Sequence, residues 1–212
     1  VTPQEFNLFA DQAQMDIFEQ YFYDLNQFLR LPGNDTGHSD MVSMLHEKIA
    51  IFNKSKAAAD LSINSNKITL TVNDLYRLTA IYVSGVQCDR VSKKESKDIL
   101  LSPLTIPTAD RPMYYVEQGG FYVYTASTPL SADTDVVVDY IKQPAEPNWS
   151  FSTVGGAAIH NSSASTNFEL HESEEVELVL KILELAGVAT KQIDIAQYAG
   201  QKDTQGVQQE KM

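Results

Sequence analysis

The chain has 212 residues, 43% of them hydrophobic, and carries 16 basic and 28 acidic side chains for a net charge of −12. That hydrophobic share suffices for an ordinary core and excludes global disorder, and the charge argues against a surface that wraps nucleic acid by neutralising phosphates. The single cysteine, Cys88, excludes an internal disulfide framework and a cysteine-based zinc site; no apolar run reaches the ~18 residues that span a bilayer, and no charged-then-apolar leader is present.

A first helix is announced by Thr2 as N-cap, Pro3 at the first helical position and Glu5 completing a capping box. Phe6, Ala10, Ala13, Ile17, Tyr21 and Phe28 fall along one stripe, widened by Phe9, Phe18, Phe22, Leu25 and Leu29. A stripe this broad predicts burial on more than one side. Leu31, Pro32 and Gly33 end it, and 34–39 reads as a polar loop. Ser39 or Asp40 then caps a second helix whose apolar face is Val42, Leu45, Ile49 and Phe52.

From Leu61 the period changes to two. Ile68, Leu70 and Val72 alternate with threonines after the turn-forming Asn64, Ser65 and Asn66, which predicts a hairpin over 61–72. Residues 74–78 lead into a strand-rich stretch to Cys88. A short helix follows, with Ser92 and Glu95 as a second capping box and Ile99, Leu100 and Leu101 at its end. Residues 113–116 and 121–126 flank Gly119 and Gly120 as another hairpin, and 136–141 is the last clear strand, stopped before Pro144. The stretch 144–167, rich in Gly and Ser, reads as a long loop of the kind that is usually functional or mobile.

The segment 168–187, FELHESEEVELVLKILELAG, predicts a second long helix. Glu172, Glu174 and Glu175 suit the positive end of its dipole. Val176, Val179, Leu180, Leu183 and Ala186 recur as an apolar seam, and Gly187 supplies a stop. Thr190 caps a last segment with Ile193, Ala196 and Ala199, ahead of a polar, glutamine-rich tail expected to order only against a partner. The fold class expected is α+β: a helical bundle of two N-terminal and one or two C-terminal helices (1–58 and 166–212, the latter ending in a docking tail), a central antiparallel β-rich insertion (59–143) and a long loop (144–165).

No residue pattern identifies a chemistry. The histidines at 38, 46, 160 and 171 share no helical face, and His46-Glu47 is not followed by a second histidine at metal spacing. The glycine pairs at 119–120 and 155–156 lack the strand–helix context of a phosphate loop. Asn148 and Asn161 match the glycosylation sequon by chance. The glutamates of 169–177 lack the alternating ligands of a calcium loop and read as a solvated helix start, or as a patch that pairs with Lys or Arg of a neighbouring subunit. Tyr114, Tyr115, Phe121, Tyr122 and Tyr124 form an aromatic hairpin without a basic residue between Met113 and Tyr140, which favours packing or protein contact over base stacking. No catalytic residue, cofactor or metal is expected.

The order TPQEFN, QMDIFEQYFYDLNQFL, HEKIAIF, DLYRL, VDYIKQPAEPNWSF and FELHESEE resembles, from end to end, a virion structural protein of crAss-like and related short-tailed bacteriophages. It departs at Glu172, where the family pattern has a proline at the first helical position; an acidic residue keeps that start favourable through charge. The resemblance implies a non-enzymatic ring protein of the head–tail connector, twelve-fold, assembled in the host cytoplasm into the virion tail or neck. Its partners would be its own copies, the portal and neighbouring tail proteins, with genomic DNA passing unbound and no membrane. The residues expected at subunit or portal contacts are His171, Glu172, Glu174, Glu175, Ile193, Tyr198, Gln201, Gln205, Gln208 and Gln209. The alternative is a peripheral virion or adhesion protein whose β insertion binds an external partner.

Overall fold

The chain is α+β. The computed structural model describes residues 1–30, 36–57, 61–70, 74–118, 120–126, 130, 135–190, 197–202 and 204–205. Its helices are α1 (Pro3–Arg30), α2 (Thr36–Ala50), α3 (Lys93–Leu101) and α4 (Glu175–Ala189), with a further helical stretch at 197–202 and 204–205. The chain divides into two compact units, Val1–Ile51 with Pro144–Met212, and Phe52–Gln143.

In the first unit α1 starts on its capping box: Glu5 N–H donates to Thr2 Oγ1 (3.3 Å) and Thr2 N–H to Glu5 Oε2 (2.7 Å). The helix packs against both α2 and α4, which explains its wide stripe. Ala10, Ala13, Ile17, Phe18 and Tyr21 are buried, and Leu29 is exposed. The periodicity did not mark Gln14, which is fully buried on the same face. Its Nε2 donates to Ala145 O and its Oε1 accepts from Glu169 N–H, both at 2.9 Å, while Glu169 Oε2 accepts from Ala145 N–H at 2.8 Å. One turn pair earlier, Asn7 donates to Asn148 Oδ1 and accepts from Trp149 N–H, each at 2.8 Å. Two amides seven residues apart therefore grip the returning segment along one face of α1.

Three expectations in this unit are corrected. Helix α2 begins at Thr36, inside the stretch read as a polar loop, because the docking of Leu45 and Ile49 carries a polar first turn that propensity alone would not. The stretch 144–165 is not one loop: β10 (Phe151–Val154) and β11 (Ala157–His160) pair antiparallel, and Asn148 and Thr166 exchange backbone hydrogen bonds at the base. Gly155 and Gly156 make the two-residue turn with φ of 61° and 84°, the doubly positive geometry that matches strand twist. Third, α4 buries a different row from the one expected, Leu178 and the preceding Glu174, whereas Val176, Val179 and Leu183 are exposed. Gly187 does not stop this helix; it is buried inside it, and Thr190 closes the end through its N–H to Ala186 O.

In the second unit two sheets share one core. The first has the order β1-β9-β4-β5, with β1 (Asn53–Ala57), β4 (Leu75–Val83), β5 (Val86–Gln87) and β9 (Val136–Lys142). Strand β1 lies wholly in the 1–58 stretch assigned to the helical bundle, which is thereby corrected; alternation is hard to read in NKSKA, whose pairing partner β9 supplies the apolar residues. The second sheet runs β2-β3-β8-β7-β6, with β2 (Leu61–Asn64), β3 (Lys67–Leu70), β6 (Asp89–Arg90), β7 (Met113–Glu117) and β8 (Gly120–Tyr124). Ile81, Val83, Val136 and Val138 from the first sheet meet Ile68, Tyr114, Phe121 and Val123 from the second. Cys88, also in this core, sits where the chain leaves β5 for β6. Its burial, and Asp89 beside it, push the thiol up to about 12. Ser84 and Gly85 close β4–β5 with φ of 50° and 79°, and Ser92 and Glu95 make a reciprocal capping box at the start of α3.

Candidate docking surface

The acidic start of α4 is built inward as well as outward. His171 Nδ1 accepts from Ser173 N–H (3.2 Å), capping a short 3-10 turn over Glu172–Glu174 that leads into the helix. Glu174 is 3% exposed and pairs with Lys48 Nζ of α2 at 2.5 Å, and that ammonium lies 5.7 Å from the centre of the Tyr21 ring of α1. Three helices thus converge on one buried ion pair. The sequence hid it because Lys48 sits beside the apolar residues of α2 as an ordinary solvent-facing lysine would.

This pair orients α4. In a helix of 3.6 residues per turn, Glu174, Leu178 and Leu185 lie on one side and Val176, Val179 and Leu183 on the other. The outer row is 72%, 50% and 45% exposed, with Val188 exposed beyond it. Of the expected contact residues, Glu172 and Glu175 are exposed and His171 is half-buried. Glu174 is spent inside the unit. Tyr198, Gln201 and Gln205 are exposed on the C-terminal helical stretch, whereas Ile193, Gln208 and Gln209 lie outside the described residues. Ala199 is buried and a side chain on Gly200 would press on Glu184 of α4 at 3.2 Å. That part of the tail therefore packs within its own chain, where ordering against a partner was expected.

Two serine–histidine contacts have the look of a nucleophile pair, and in each the hydroxyl has a competing oxygen acceptor. Ser165 Oγ lies 3.0 Å from His160 Nε2 but donates its proton to Asn161 O at 2.8 Å; Ser173 Oγ, 2.9 Å from His171 Nδ1, donates to Glu174 Oε1 at 3.0 Å. A general base must receive the hydroxyl proton, and here Asn161 O and Glu174 Oε1 compete for it. His160 is stacked on Trp149 at 5.7 Å, with Phe151 on the same indole at 5.9 Å.

The aromatic hairpin divides across its sheet. Tyr114 and Phe121 join the core, whereas Tyr115, Tyr122 and Tyr124 stack with one another, with ring centres 5.0 and 6.1 Å from Tyr115. Burial raises the Tyr115 hydroxyl above its ordinary range, aided by its hydrogen bond with Tyr124. Lys67 of β3 lies over Tyr122 at 5.9 Å, and Lys93 of α3 pairs with Glu117 at 2.5 Å. These cations reach the hairpin from other elements, so reading the hairpin alone missed them.

A further exposed apolar surface is at the end of α3. Leu101 is 82% and Leu104 96% exposed, with Leu100 and Ile106 beside them. Leu104, Ile106 and Pro107 line a cleft of about 280 Å³ shared with Val91, Ile99 and Met113. Among the described residues no group of three or more His, Cys, Asp or Glu could hold a metal ion, and no helix is long and apolar enough to cross a membrane. No protein-family model matches the chain, and no curated protein matches it.

Proposed function

We propose that this chain is a non-enzymatic ring protein of a bacteriophage tail or neck, an adaptor that joins portal to tail around the DNA channel. The end-to-end order of its motifs supports the reading, and the observation that carries it is the exposed apolar row of α4. Val176, Val179 and Leu183 stand in the water-facing side of a helix, immediately after the FELHESEE motif of the resemblance. Exposed rows of this kind mark protein contacts. In this reading the helices of the first unit form the bundle that builds the ring, and the β unit is an insertion into it. The net charge of −12 lets genomic DNA pass unbound, and virion tail or neck is the place of action, with twelve copies as in the resembling family.

Particles carrying this chain test the proposal. The purified tail or neck complex, weighed by native mass spectrometry and imaged down its axis, should contain one closed twelve-membered ring of it. A tail without the chain overturns the reading. Three copies at a peripheral position would favour the adhesion alternative instead.

A further inference from the structure

Two exposed apolar clusters sit in segments of opposite charge. Residues 168–189 hold six glutamates and one lysine, and 90–111 hold five of the chain's 16 basic residues against three acidic ones. The first is thus at −5 and the second at +2 in a chain of net charge −12. Within each, charge and apolar surface adjoin. On α4, exposed Glu172 and Glu175 lead into Val176, Val179 and Leu183. On α3, exposed Lys94 and Lys97 lead into Leu100, Leu101 and Leu104.

We infer that the α4 row of one copy docks on the α3 end of a second copy, apolar row against apolar row and Glu172 and Glu175 against Lys94 and Lys97. Two copies at −12 repel over most of their surface, so an encounter is favoured where one of them presents excess positive charge. Such surplus is found at 90–111, beside leucines exposed to water. The cleft beside Leu104 is large enough to take an aliphatic side chain of α4. The contact is heterologous, since the two patches differ, and heterologous contacts propagate until they close as rings or continue as filaments. Closure rests on the ring reading above; the contact itself does not.

The test uses the full-length chain with two exposed-site variants, Leu104→Asp and Val176→Asp. Each removes one of the two patches, and both sites are open to solvent, so folding is checked by unchanged circular dichroism and melting. In analytical ultracentrifugation the unaltered chain should associate, and each variant alone should associate roughly 100-fold more weakly, the effect of a charge facing an apolar surface. An equimolar mixture of the two variants should give a heterodimer and nothing larger, because one intact patch remains on each partner. Reversing the charges should show the same logic: Lys94→Glu with Lys97→Glu weakens association, and adding Glu172→Lys with Glu175→Lys restores it. Raising salt should weaken the unaltered contact.

Association unaffected by both variants overturns this inference while leaving a ring reading in place. Loss in Val176→Asp alone, without complementation in the mixture, also overturns it and indicates a symmetric α4–α4 contact. Open filaments with normal complementation uphold the contact and overturn the ring. A chain that stays monomeric at every concentration, and in mixtures, overturns the contact.

Discussion

Replacing Gln14 with leucine isolates what the buried amide contributes to the first unit. Leucine is close to glutamine in size, so the cavity and overpacking terms are small. What changes is that Ala145 O loses its donor and Glu169 N–H loses its acceptor, in bonds that are partly buried beside a side chain that is wholly so. Each unsatisfied backbone group costs roughly 1–3 kcal/mol, against roughly 1–2 kcal/mol gained by burying an aliphatic side chain in place of an amide, for a net loss on the order of 2.5 kcal/mol and at most ~5 kcal/mol. Gln14→Glu keeps the acceptor but sets a carboxylate against Ala145 O and near the Glu169 carboxylate. Its folded-state pKa would be raised, so its penalty should be small at acidic pH and grow as pH rises through that value. Urea unfolding of the full chain reports the midpoint, and hydrogen exchange at Glu169 N–H reports the bond itself. A leucine variant with unchanged midpoint and unchanged Glu169 protection would show that the amide clamp contributes nothing.

Lys48→Met strands Glu174 in a site 3% exposed and should cost about 3–5 kcal/mol, most of which the double variant with Glu174→Met should recover; equal losses in the single and double variants would refute the pairing. Val176→Asp should change monomer stability by no more than about 0.5 kcal/mol and Leu178→Asp should cost about 3 kcal/mol or more, and a reversed order in thermal melts would return α4 to the seam expected from periodicity. Cys88 should resist iodoacetamide at pH 8 in the native protein and react once unfolded. Its thiol is raised from 9.0 to about 12, so the stability it contributes is present below pH 9 and is lost as pH climbs from 9 toward 12; native-state alkylation at the free-thiol rate would contradict its burial. Gly120→Ala should destabilise the second unit by more than ~1 kcal/mol, because φ is +153° and the new Cβ would meet Ile68 O at 2.5 Å; a neutral result in urea would show the strand edge can shift.

Sequence alone determined the elements whose signals are local. Capping boxes at Thr2 and Ser92 specified two helix starts, because hydrogen bonds three residues apart need no tertiary partner. Alternation located β3, the apolar run before Pro144 located β9, and the α1 stripe named most of the residues that are buried. The Gly155–Gly156 hairpin was read as part of a long loop, because few of its strand residues are large and apolar.

Tertiary structure decided what the local pattern left degenerate. Helix α4 is apolar on nearly every side, so its period could not choose the face that turns inward; the Lys48–Glu174 pair and α1 chose it, leaving Val176, Val179 and Leu183 to water. Gln14 looked like any polar residue on a long helix until Ala145 and Glu169, more than 130 positions away, came to bond it. The candidate surface came out of that choice of face. A sequence records which residues are apolar, but which of them remain uncovered depends on partners that only the fold brings into reach.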